Sequence, residues 1–185
     1  RMAKLRAGLY MQTLLRDPAA GIMHSMIYFG FIGLAAVTTV LEINHQVPES
    51  MKFLHGTIYE AYAAFGDFAG IVFLGGVVWA IVRRYVQRPY RIRIKSKPEH
   101  ANILGTLFAI GATGFGAEKS RIAAPGRPSF ERWPFIGYPL SGLLENVDAI
   151  TGWYQAMWIL HIFSFVAFLV ILPTTMLRHM ITSPM

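Results

Sequence analysis

Residues 150–180 read ITGWYQAMWILHIFSFVAFLVILPTTMLRHM. The stretch holds no acidic residue, and its only arginine is Arg178, near the end. About 20 apolar residues suffice to cross a hydrocarbon core, so this run predicts a membrane-spanning helix over 150–180, with Pro173 as a kink. His161 and His179 lie eighteen residues apart in it. That is about five turns at 3.6 residues per turn and about 27 Å of rise, so both imidazoles face one way at opposite depths. Such an arrangement suits a helix that gives one axial ligand to each of two stacked haems.

The composition agrees with a membrane setting. Of 185 residues, 54% are hydrophobic and only 15% charged, with a mean hydropathy of +0.43, which is too apolar for an ordinary soluble domain. The formal charge of +7 does not point to nucleic acid, because the basic residues gather at segment ends rather than along one face. The absence of cysteine excludes disulfides, thiolate zinc sites and iron–sulfur clusters from this chain.

The fold class expected is all-α, a polytopic transmembrane helical bundle with four spans. Residues 1–18 form a basic amphipathic lead-in without a signal-peptide cleavage site. Helices are expected over 19–44, 48–85, 98–117 and 150–180. Gly21 to Leu41 is free of charge, and Pro48 and Glu49 suit a first helical turn. The interval Arg83–Lys97 carries seven basic residues and no acid, which makes it a cationic loop. Residues 118–149, with Pro125, Pro128, Pro134 and Pro139, read as a loop on the outer surface. Basic residues concentrate at the lead-in, the cationic loop and Arg178. Lys52, Lys119, Arg121, Arg127 and Arg132 fall on the other side. The positive-inside rule then places both ends of the chain in the cytoplasm.

That topology assigns depths. His24 and His179 share the inner level, and His55, counted from Pro48, shares the outer half with His161. The pairing expected is His24 with His179 for an inner haem b and His55 with His161 for an outer one. Bis-histidine ligation without an open position favours electron transfer over oxygen chemistry. Gly30, Gly33, Gly56, Gly66 and Gly70 would let a flat macrocycle approach the backbone. The plainer alternative is that these histidines hydrogen-bond between helices. His45 is the fallback ligand, and His100 reads as solvated. Zinc is disfavoured because no HExxH pair or carboxylate–histidine cluster occurs.

Glu60 and Asp67 are seven residues apart on one helix and hence nearly on one face. Carboxylates in a span line proton paths, contact a quinone headgroup, or pair with a cation from another helix. Glu118, Lys119 and Arg121 can reach the outer haem's propionates or a quinone carbonyl. They can equally serve as interfacial anchors.

At these residues the chain resembles the membrane cytochrome b of the respiratory nitrate reductase gamma-subunit type. It is more similar to the membrane part of heterodisulfide-reductase-like iron–sulfur oxidoreductases, and within them to membrane-bound electron-transfer-flavoprotein:menaquinone oxidoreductases. The matching pieces are Gly21-Ile22-Met23-His24, Phe53-Leu54-His55-Gly56-Thr57 with Asp67 and Gly70, Arg121-Ile122-Ala123, Leu160-His161, and Leu177-Arg178-His179 leading to Thr182-Ser183-Pro184. One departure stands out. The gamma type carries two ligands ten residues apart on an early helix, whereas ten beyond His24 is Leu34.

The resemblance implies a quinone-linked oxidoreductase component in a bacterial cell membrane. It would carry two b haems and pass electrons between a cytoplasmic flavin or iron–sulfur partner, with electron transfer flavoprotein as one candidate, and menaquinone. Flavin and iron–sulfur clusters would belong to partners or to further sequence. The resemblance also implies one more helix upstream and a cysteine-rich cytoplasmic domain after Pro184. Two rivals remain at this point: a quinol-oxidising anchor of the nitrate reductase type, and a haem-free anchor or transport module.

Overall fold

The computed structural model describes residues 17–89, 98–124, 126, 128–144 and 150–175. Four long helices occur in chain order: α1 Pro18–Gln46, α2 Gly56–Ile81, α3 Pro98–Ala123 and, after the short α4 Gly137–Ser141, α5 Ile150–Thr174. Among the described residues there is no strand. The fold is therefore all-α. The helices alternate in direction, so the start of α1, the end of α2, the start of α3 and the end of α5 share what we call the lower end.

Local sequence sets the helix limits. Asp17 caps α1 by accepting from the Ala20 N–H at 3.2 Å, with Pro18 in the first turn; both features suit a helix start. Asp17 also receives a hydrogen bond from Arg83, which ties the lower end of α2 to the beginning of α1. Val47, extended at ψ 150°, precedes Pro48 and ends α1, as the residue before a proline disfavours the helical region.

The second helix starts later than expected. Residues 49–51 form a 3₁₀ turn and α2 begins at Gly56 rather than at position 48. The cause is tertiary. Buried Asn44 accepts from the N–H groups of Phe53 and Leu54 at 2.9 and 3.0 Å, so these donors are used before a helix can claim them. Gly56 then turns with φ +53°, a left-handed conformation that a side chain would strain. At its other end α2 runs on through a π-helical turn over Val82–Gln87.

Packing is closest between α1 and α2. A Cβ on Gly30 would lie 2.5 Å from the Phe73 amide nitrogen, so the two backbones touch there, as small residues allow in membrane helix pairs. Phe73 and Val77 of α2 are fully buried with Ile103, Leu107 and Ile110 of α3 and Phe168 of α5. The Phe31 ring of α1 lies 5.2 Å from that of Phe168, so all four long helices meet in one core in the lower half.

Outside that core many large apolar side chains of the long helices are exposed. On α5 only Ser164 and Phe168 are buried, while Trp158, Phe163, Val166 and Val170 are exposed. Such a face is stable against lipid tails and not against water. Among the described residues three helical stretches are long and apolar enough to cross a membrane: Pro18–Gln46, Gly56–Gln87 and Ile150–Thr174. The fourth long helix, α3, falls outside that class by composition. It packs against α2, α4 and α5 and carries buried Thr113 and Ser120. A helix shielded by neighbours can hold polar groups that a lipid-facing one cannot.

The interval expected as an outer loop is partly helical and folded back. α3 continues to Ala123, and a 3₁₀ turn at Ser129–Arg132 leads to α4. This segment covers the upper ends of α2 and α3. Residues 176–180, the end of the expected last helix, lie outside the described residues.

Candidate functional site

His161 stands in the middle of α5 against α3. A Cβ on Gly114 would come within 3.3 Å of its Cε1, so glycine gives the imidazole its place beside the neighbouring backbone. Its Nδ1 lies 3.1 Å from Thr113 Oγ1, whose own hydroxyl hydrogen is directed at the Ala109 carbonyl at 2.6 Å. A hydroxyl has one hydrogen to give. Thr113 is thereby placed to accept from Nδ1–H, and in that tautomer Nε2 carries the lone pair. Metal-bound histidines are oriented in this way, with the other ring nitrogen donating to an oxygen. The chemistry of His161 thus fits an axial haem ligand.

The other sequence-derived histidines are placed as follows. His24 is half-buried in the second turn of α1. His55 is exposed and stands as the residue before α2, with Nδ1 3.1 Å from the Phe53 carbonyl. That contact also leaves its Nε2 open. His55 sits at the upper end itself, since α2 starts at Gly56, whereas His161 is eleven residues into α5. No hydrogen bond joins the two. His179 lies outside the described residues. Among the described residues no group of three or more His, Asp or Glu is gathered to hold a metal ion, but bis-histidine haem ligation does not need one.

A polar cluster occupies the upper end. Arg121, near the end of α3, forms a two-pronged ion pair with Glu131 of the 3₁₀ turn. The Tyr59 hydroxyl donates to the same carboxylate, 2.9 and 2.8 Å from its oxygens, and accepts from Arg121 at 3.1 Å. The Glu131 side chain is 4% exposed and that of Arg121 40%, so the cation links a buried acid to the surface. Two-pronged guanidinium–carboxylate pairs fix geometry as well as charge. A structural role for this cluster is therefore evident: it pins the turn on α2 and α3.

Beside it lies a second group of carboxyls. Asp67 is 1% exposed, and its Oδ2 accepts from the N–H groups of Ile136 and Gly137, the latter at 3.1 Å. The Glu118 carboxyl faces that of Asp67 and packs on Gly137, where a Cβ would meet it at 3.0 Å. Asp67 thus pairs with α4 and with Glu118 of α3, not with Glu60. Glu60 and Lys119 are half-buried, and neither forms a side-chain hydrogen bond or ion pair among the described residues.

Sequence reading missed Glu131, Tyr59 and Thr113. Glu131 sits in a proline-rich interval without periodicity, and the only signal was an acid between Pro128 and Pro134. Thr113 directly precedes Gly114, but nothing in its neighbourhood marks it as the partner of a histidine 48 positions away.

Comparison with known proteins adds the context. The chain is 29% identical over 182 residues to the EtfAB:quinone oxidoreductase of Syntrophomonas wolfei, a match covering 91% of this chain and 25% of that protein. It is 28% identical over 183 residues to the probable iron-sulfur-binding oxidoreductase FadF of Bacillus subtilis, covering 94% of this chain and 24% of that one. The chain spans about a quarter of the length of these curated relatives. Both are named as oxidoreductases. No family model matches the chain, and no solved structure does either.

Proposed function

We propose that this chain is a membrane electron-transfer domain of a quinone-linked oxidoreductase, holding two bis-histidine b haems. The observation that carries the reading is His161. Its ring is wedged on Gly114 and its Nδ1 lies 3.1 Å from Thr113 Oγ1, a contact that suits the tautomer with its lone pair on Nε2. In this reading His161 pairs with His55 for one haem and His24 with His179 for the other. The haems would supply one-electron redox chemistry with potentials set by their ligands and surroundings. The chain's own contribution is to orient the imidazoles, to keep water out with the Phe73–Phe168 core, and to place charge at the upper end through Arg121.

The names of the two relatives support the quinone and iron–sulfur parts of the reading. Electrons would come from a cytoplasmic flavin or iron–sulfur partner, electron transfer flavoprotein among the candidates, and would reduce menaquinone. The cell membrane would be the site of action, spanned by four helices including α3. Lys119, Arg121 and Glu60 stand as contacts for a quinone or for propionates.

An optical spectrum of the purified protein tests this. The expected result is reduced haem b bands from two centres, with His161→Ala removing one of them. A colourless protein, or one whose two centres both survive His161→Ala, sinks the reading.

A further inference from the structure

The carboxyl group of Asp67 is satisfied on one side only. Oδ2 takes two backbone N–H groups, whereas Oδ1 is buried without a hydrogen-bond partner. An ionised carboxylate oxygen with no donor in a dry environment is costly. The group that faces it is another carboxyl, Glu118, which has no donor to offer unless it carries a proton.

The surrounding charges point the same way. From α2 come Asp67 itself, Tyr59 and Tyr62. α3 contributes Glu118 and Arg121, the 3₁₀ turn Glu131, and the approach to α4 the backbone N–H groups of Ile136 and Gly137. Arg121 is committed to Glu131 in a two-pronged pair. Tyr62 gives its hydroxyl to the Val37 carbonyl. The second and third carboxyls thus share no cation of their own. Two neighbouring carboxyls in such a place cannot both ionise cheaply, and one retains a proton.

We propose that Asp67 and Glu118 hold one proton between them, carried on Glu118 and directed at Asp67 Oδ1, and that this pair is the protein-side proton donor to a quinone reduced at the upper end of the bundle. The donor role rests on the quinone-linked function proposed above; the shared proton does not. Reduction of a quinone takes two electrons and two protons. The electrons come from the flavin or iron–sulfur partner. As the O–H bond of Glu118 breaks, an O–H bond forms on one quinone oxygen, and the second proton comes from water. The pair, left doubly charged, regains its proton from solvent on the side where half-exposed Arg121 meets the surface.

Infrared spectroscopy of the purified protein, in H2O and D2O, tests the shared proton without any quinone. At neutral pH the wild-type protein is expected to show the C=O stretch of a protonated, exchangeable carboxyl, and Glu118→Gln to lose it. In Asp67→Asn the band's titration midpoint moves to lower pH, because the like charge is gone. A wild-type protein without the band, or a band untouched by both substitutions, overturns the proposal. For the donor role, protein reduced beforehand with a stoichiometric amount of dithionite, none being left in excess, is mixed with a soluble naphthoquinone, and the appearance of the naphthoquinol is followed against pH. Glu118→Gln is expected to slow it about 100-fold, the low end for a lost general acid. An unchanged rate overturns the donor role. If the wild-type protein reduces no naphthoquinone at all, the quinone reading fails and the donor role with it, while the infrared band still decides the shared proton.

Discussion

At the scale of single residues, the side chain that matters most is one the sequence could not mark: Thr113. Its hydroxyl oxygen lies 3.1 Å from His161 Nδ1, placed to accept from Nδ1–H and so to favour the tautomer with the lone pair on Nε2. Partners of this kind contribute to metal affinity, and their loss typically weakens binding by about 10- to 100-fold. Under the di-haem function proposed above, Thr113→Val is therefore expected to weaken retention of one haem centre by about that factor, read from the haem-to-protein absorbance ratio after extended dialysis in detergent. Thr113→Ser, which keeps the hydroxyl, is expected to leave retention near wild type. Equal loss in both variants would assign Thr113 a packing role alone.

Among the secondary-structure elements, two of the interactions that order α1 and α2 yield stability predictions. Gly30 abuts the Phe73 backbone, which cannot swing away as a side-chain tip can. Gly30→Ala should cost about 1–3 kcal/mol, the usual penalty for overpacking, seen as a lower unfolding temperature in detergent. Gly105, inside α3, has open space where its Cβ would be, and Gly105→Ala should instead gain up to about 1 kcal/mol from helix propensity. Asn44 holds the approach to α2 through two backbone N–H groups. Asn44→Ala should cost about 1–3 kcal/mol by orphaning them. The helix start at Gly56 follows from that interaction, and so does the position of His55.

For the whole molecule, the folded-back segment and the helix bundle are one unit because Glu131 and Asp67 bind across it. Tyr59 and Glu131 are 72 positions apart, and Asp67 and Gly137 are 70. Glu131→Ala removes the acceptor of a charged, two-pronged bond, and hydrogen bonds to charged groups contribute about 1.5–3 kcal/mol. Amide hydrogen exchange over 128–144 should then accelerate by a corresponding factor, while exchange in the Phe73–Phe168 core stays slow. Acceleration throughout the bundle would mean that the segment is needed for the helices themselves. This scale also accounts for the composition of α3. It lies among neighbours and not against lipid alone, and it is the helix on which Thr113, Gly114, Glu118 and Arg121 converge.

The amino-acid sequence by itself determined the all-α class, the apolar spans and the candidate histidines. The reason is that a backbone in hydrocarbon must satisfy its hydrogen bonds within its own segment, so long apolar runs have one solution. Only the tertiary structure decided that α2 begins at Gly56, that Asp67 faces Glu118 and not Glu60, that Glu131 closes on Arg121 and Tyr59, and that Thr113 supports His161. Side-chain polar groups in the interior are satisfied by whatever residue the fold brings near, and that partner leaves no periodic trace along the chain.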